Sequence, residues 1–223
     1  PEAYLGWVED VARGTPQGLV QPFSASPDRG IKNFAELARV DEPTTEILLR
    51  NADAIVARQT AFDIVDGKPK TRNDTVREFT DLLISDSPPT KAQLEKAIQK
   101  QFSLAIARQP DEEDVERLIA LYDKCASGGD RAGALRTMLT AVLLKTDSLF
   151  RSEMGGPEGM LTPQEAASAV SLALMNRRER PLFDAAEKGQ LNSREQLAVH
   201  VRRILDDPKI QKPRLLGFFR EYF

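Results

Sequence analysis

The sequence predicts an all-α fold, a multi-helix bundle of about 9–10 helices, on three observations. Apolar residues recur at three- and four-residue spacing in segment after segment. No stretch alternates apolar and polar residues over a useful strand length. Proline, glycine and capping residues punctuate the chain at helix-length intervals. The richest segment runs over 131–146, RAGALRTMLTAVLLKT. Leu135, Met138, Leu139, Val142, Leu143 and Thr146 fall at helical spacing there, while Ala141 and Leu144 carry apolar surface round the back. A helix apolar on most of its circumference must be covered by neighbours, so it belongs at the centre of a bundle. It is too short and too interrupted by charge for a bilayer, which needs ~20 apolar residues.

The 223 residues are 41% hydrophobic and 29% charged, as in an ordinary globular chain. Lys and Arg number 31 against 34 Asp and Glu, a net −3 that provides no global footprint for nucleic acid. A single cysteine, Cys125, excludes an internal disulfide and a thiolate-based zinc site. No signal peptide and no membrane-spanning run is visible. The chain ends in LLGFFREYF, whose Phe218, Phe219, Tyr222 and Phe223 would leave a large apolar patch at a fraying end. The polypeptide is therefore expected to continue.

Taken in order, Tyr4, Leu5, Trp7, Val8 and Val11 mark a first helix over 2–13, closed by Gly14. A long Gly/Pro/Ser-rich loop follows from Gly14 to Gly30, and IKNFAELARV suits a short helical turn. Pro43 sits at an early helical position, and EILLRNADAIVARQTAF reads as a helix through Phe62. DGKPKTRND is a turn. Val76, Phe79, Leu82 and Leu83 mark another helix, stopped by Ser87-Pro88-Pro89. That double proline suggests two helical subdomains, residues 1–88 and 89–223. In the second, Thr90 with Gln93 and Thr162-Pro163-Gln164-Glu165 read as capping boxes, and Asp111 and Ser193 as helix caps. Helices are expected after each, around a central helix introduced by Gly128-Gly129, with short connectors and antiparallel neighbours. A further short helix over 182–186 ends at Gly189.

Chemistry has few places to sit. His200 is the only histidine, on the apolar face with Leu197, Val201 and Ile204. Packing, with a nitrogen bonded to a carbonyl or carboxylate, is the expected role. Cys125 reads as a small core residue. The acidic run Asp111–Asp114 with Glu116 suits a helix N-terminus, where exposed amides favour carboxylates. Asp63, Asp66, Asn73 and Asp74 do not match a calcium loop. Between Arg177 and Glu221, 11 basic residues face 7 acidic ones, the pattern of a solvated helical surface. The length of the 14–30 loop supports a second functional class, a stand-alone hydrolase, for example on polysaccharide, with its active site there.

From Leu94 onward, four ordered blocks carry a resemblance: FSLAIARQPDEEDVERLIALY, AVLLKTDSLFRSE, LTPQEAASAVSLALMNRRERPLFDAAEKGQL and REQLAVHVRRILDDPKIQKPRLLGFFREYF. Together they resemble a helical module of large planctomycete proteins of unknown function, often linked to c-type cytochrome segments. The chain departs from the family at Ser103-Leu104, Gln109, Met175 and Pro181-Leu182. The resemblance implies a scaffold or interaction module of an exported, periplasmic or secreted protein, whose partners are neighbouring domains of a longer polypeptide. It implies no cofactor within this chain, which has no C-x-x-C-H, and haem c in flanking domains. His200, and after it Met154 or Met175, is then a candidate axial ligand to a haem outside this chain.

Overall fold

The computed structural model describes residues 2–22, 40–150, 153–156, 159–175 and 177–222. Among these it contains eleven helices and one two-stranded hairpin. The all-α expectation holds, and the hairpin is an addition to it. In order come α1 (Glu2–Ala12), α2 (Glu42–Gln59), β1 (Phe62–Val65), β2 (Lys68–Thr71), α3 (Arg77–Ile84), α4 (Lys91–Ala105), α5 (Glu112–Ala126) and α6 (Arg131–Leu143). Then follow α7 (Thr146–Leu149), α8 (Pro163–Leu174), α9 (Arg180–Glu187), α10 (Arg194–Asp206) and α11 (Pro213–Tyr222). The helical turn expected over 31–40 lies almost wholly outside the described residues. The residues fall into two compact units. One comprises residues 8–22 and 40–149; the other comprises residues 2–7 with the described part of 150–222. Ser87-Pro88-Pro89 lies inside the first unit, where it joins α3 to α4, two helices that pack together.

The first unit is built round α6, which packs against α2, α3, α4 and α5. Leu135, Met138, Leu139, Val142 and Leu143 are all at most 2% exposed, as a helix apolar on most sides requires. Ile55, Val56, Phe79, Ile98 and Phe102 from the surrounding helices complete the core. The helix stops at Leu143, earlier than the apolar run implied. Leu144 N caps it by donating to Thr140 O and Val142 O, and Ser148 Oγ from α7 donates to Val142 O at 2.8 Å. Thr146 starts α7 instead.

Inside this apolar core lies one amide pair. Gln59 and Gln101 are fully buried and exchange two hydrogen bonds of 3.0 Å. Gln59 Nε2 also donates to Val11 O, and Gln101 Nε2 to Leu139 O. Four helices (α1, α2, α4 and α6) are thus keyed by two side chains.

The hairpin corrects two expectations, a helix through Phe62 and a simple turn after it. Helix α2 ends at Gln59, and Thr60 closes it, its N donating to Val56 O in the helical pattern and its Oγ1 donating to the same carbonyl. Asp66 and Gly67 then adopt positive φ, +52° and +74°, the two-residue turn that Asp-Gly favours between antiparallel strands. Phe62 pairs with Thr71 and Val65 with Lys68. Pro69 faces Ile64 in a non-hydrogen-bonded pair, where its missing N–H costs no ladder bond.

Helix starts follow the caps read from sequence. Thr90 with Gln93 and Thr162 with Glu165 form complete capping boxes, and Asp111 and Ser193 cap α5 and α10. Asp41 and Asp130 do the same for α2 and α6. Glu165 does more than close its box. Its Oε2 accepts from Thr162 N, while Oε1 accepts from Met154 N and Gly155 N, tying the preceding loop to the start of α8. In the second unit α8 packs against α9 and α11, with Ala166, Ala167 and Ser171 buried. Glu179 caps α9 and accepts from Arg203 of α10 at 2.8 Å, and its backbone N donates to Ser171 Oγ of α8.

Two outcomes are expected. Gln101→Leu leaves Gln59 Oε1 buried without a donor and should cost about 1–3 kcal/mol in urea denaturation followed by circular dichroism. Adding Gln59→Leu should cost less than a second independent loss, because the two amides act as one unit. Glu165→Ala should accelerate limited proteolysis just ahead of α8 while the helical signal persists; equal cleavage rates would show that the carboxylate does not hold the loop.

Candidate functional site

A dense charged constellation lies at the start of α5. Asp111 caps the helix, its Oδ1 accepting from Asp114 N at 2.7 Å, so the acidic run serves the N-terminus as expected. Asp114, 8% exposed, points into the protein. Lys145 Nζ donates to its Oδ1 at 2.5 Å and Arg108 Nη2 to its Oδ2 at 3.2 Å; the same Arg108 nitrogen reaches Asp147 Oδ2 at 3.0 Å. Both cations also lie over the Phe102 ring, Arg108 at 5.1 Å and Lys145 at 5.8 Å from its centroid. Burial alone would raise the Asp114 carboxyl, but the hydrogen bonds and charges of Lys145 and Arg108 together outweigh it and hold the group below the ordinary carboxylate range. A carboxylate held ionised by two cations is a poor proton donor at neutral pH. The cluster is a clamp joining the end of α4, the start of α5 and the α6–α7 junction. Sequence reading found its acidic half but not its partners, which lie 6 and 31 residues away.

The 14–30 loop, proposed as the hydrolase site, is described as far as Pro22. That part is strapped to the first unit. Arg58 donates to Ala12 O and Arg13 O at the end of α1, and its guanidinium fills the space a Cβ on Gly14 would need. Buried Asn51 clasps Val20, accepting from its N at 3.0 Å and donating to its O at 2.6 Å. Asp74 pairs with Arg58 and Arg72, and Asp66 makes the hairpin turn. Among the described residues, no three His, Cys, Asp or Glu side chains gather as metal ligands would. Cys125 is half-buried near the end of α5 rather than fully in the core.

His200 lies half-buried on α10, and Ile204, one turn later, is fully buried. The hydrogen bond expected of the imidazole is not formed at Nδ1, which is buried without a partner. Met154 is 88% exposed and Met175 is 4% exposed. The outer surface of α11 is apolar, with Leu216, Phe218 and Phe219 about half exposed, while α10 exposes Val199 (63%) and Leu205 (42%) among charged residues. At 100° per residue, Leu215, Leu216, Phe218 and Phe219 share one arc of α11, and the two phenylalanine rings meet edge to face at 5.6 Å.

The Asp114 clamp has a definite pH signature. A carboxyl depressed by folding stabilises the protein above its unfolded pKa of about 3.9, and that contribution is lost as pH falls through the lower folded value. Asp114→Asn should lower stability at neutral pH by about 1–3 kcal/mol and flatten the acid limb of a stability-versus-pH curve. An unchanged acid limb would mean that the clamp contributes nothing there.

No curated protein and no solved structure matches the chain. Residues 161–223, which hold α8 to α11 and the apolar surface of α11, match the model of a family described as PSD4, protein of unknown function (DUF1592).

Proposed function

We propose that this chain is a helical scaffold or interaction module of an exported, cytochrome-linked protein of the planctomycete type. The observation that carries it is the apolar surface of α11, within the family-matched segment. Side chains such as Leu216, Phe218 and Phe219 at about half exposure suit a helix face that another protein segment covers. The cytochrome link and the exported location rest on the resemblance in the ordered sequence blocks. In this reading the neighbouring segment carries the haem and this chain supplies surface.

His200 fits an axial role poorly. A ligating histidine ordinarily donates its second ring N–H to a carbonyl or carboxylate, and Nδ1 has no such partner. The proposal gives it a packing role, although the carbonyl or carboxylate bond expected of that role is not formed at Nδ1 either.

The test is to place a photo-crosslinking residue at position 216 in the protein produced in its own cells. Captured material should carry covalent haem, seen by haem staining, and should fractionate with exported proteins. A crosslinked product, internal to the polypeptide or between two, that carries no haem would sink the cytochrome link; no crosslink at position 216 of either kind would sink the interaction role. In the captured assembly, His200→Ala should leave the Soret and α bands unchanged, and a shifted band would restore the ligand role. In the isolated chain, Phe218→Ser with Phe219→Ser should cut binding of a hydrophobic dye severalfold without loss of helix content.

A further inference from the structure

We draw no further inference here: the strongest candidate, the exposed apolar face of α11 around Leu216, Phe218 and Phe219, belongs to the surface already described, and nothing in the structure shows what covers it.

Discussion

The reciprocal amide pair of Gln59 and Gln101 is the constraint on which the first unit depends. A helix as uniformly apolar as α6 has little reason of its own to prefer one rotation or axial position over another, since oil packs on oil in many ways. Two amides fully removed from water do have a reason. Each must find donors and acceptors, and a one-residue slip of α2 or α4 would leave groups unpaired at about 1–3 kcal/mol apiece. Val11 O and Leu139 O extend the same demand to α1 and α6. Apolar burial supplies the driving force for this bundle, and the amides select its register.

Charge takes a different part. The ion pairs on exposed helix faces, such as Arg50 with Glu46 and Arg77 with Asp81, join residues one turn apart and contribute little. The Asp114 clamp is of another kind, because its carboxylate is nearly buried and its cations come from different elements. Phe102 lies under both cations, so the edge of the core and the ion cluster are one packed object. Glu179 plays a comparable part in the second unit, where one carboxylate caps α9 and holds Arg203 of α10.

Local chemistry was legible in the sequence and distant pairing was not. Caps at Thr90, Asp111, Thr162 and Ser193 could be read because donor and acceptor lie three residues apart. The burial of α6 could be read because one helix's periodicity reports its own surroundings. The hairpin was missed because its strands are four residues each and mostly exposed, leaving no apolar alternation to see. Its signal was Asp66-Gly67, read as a turn without the strands that such a turn joins. Gln59 and Gln101 are polar letters within helical patterns, and only the fold shows that they face each other across 42 residues. The bond missing at His200 Nδ1 likewise depends on neighbours that no local pattern names.

The division of the chain between its units bears on the order of assembly. The unit built on α6 is nearly continuous in sequence, so its parts are present once the chain has been made to about residue 149. The other unit groups residues 2–7 with a segment that begins at residue 150, and closing so long a loop costs entropy that no local contact repays in advance. Residues 2–7 therefore gain the contacts of their own unit only after the last third of the polypeptide has been made. Trp7, the only tryptophan and 8% exposed, is the last of these residues. It stands where α1 passes from one unit into the other, so its fluorescence reports on the helix that both units share.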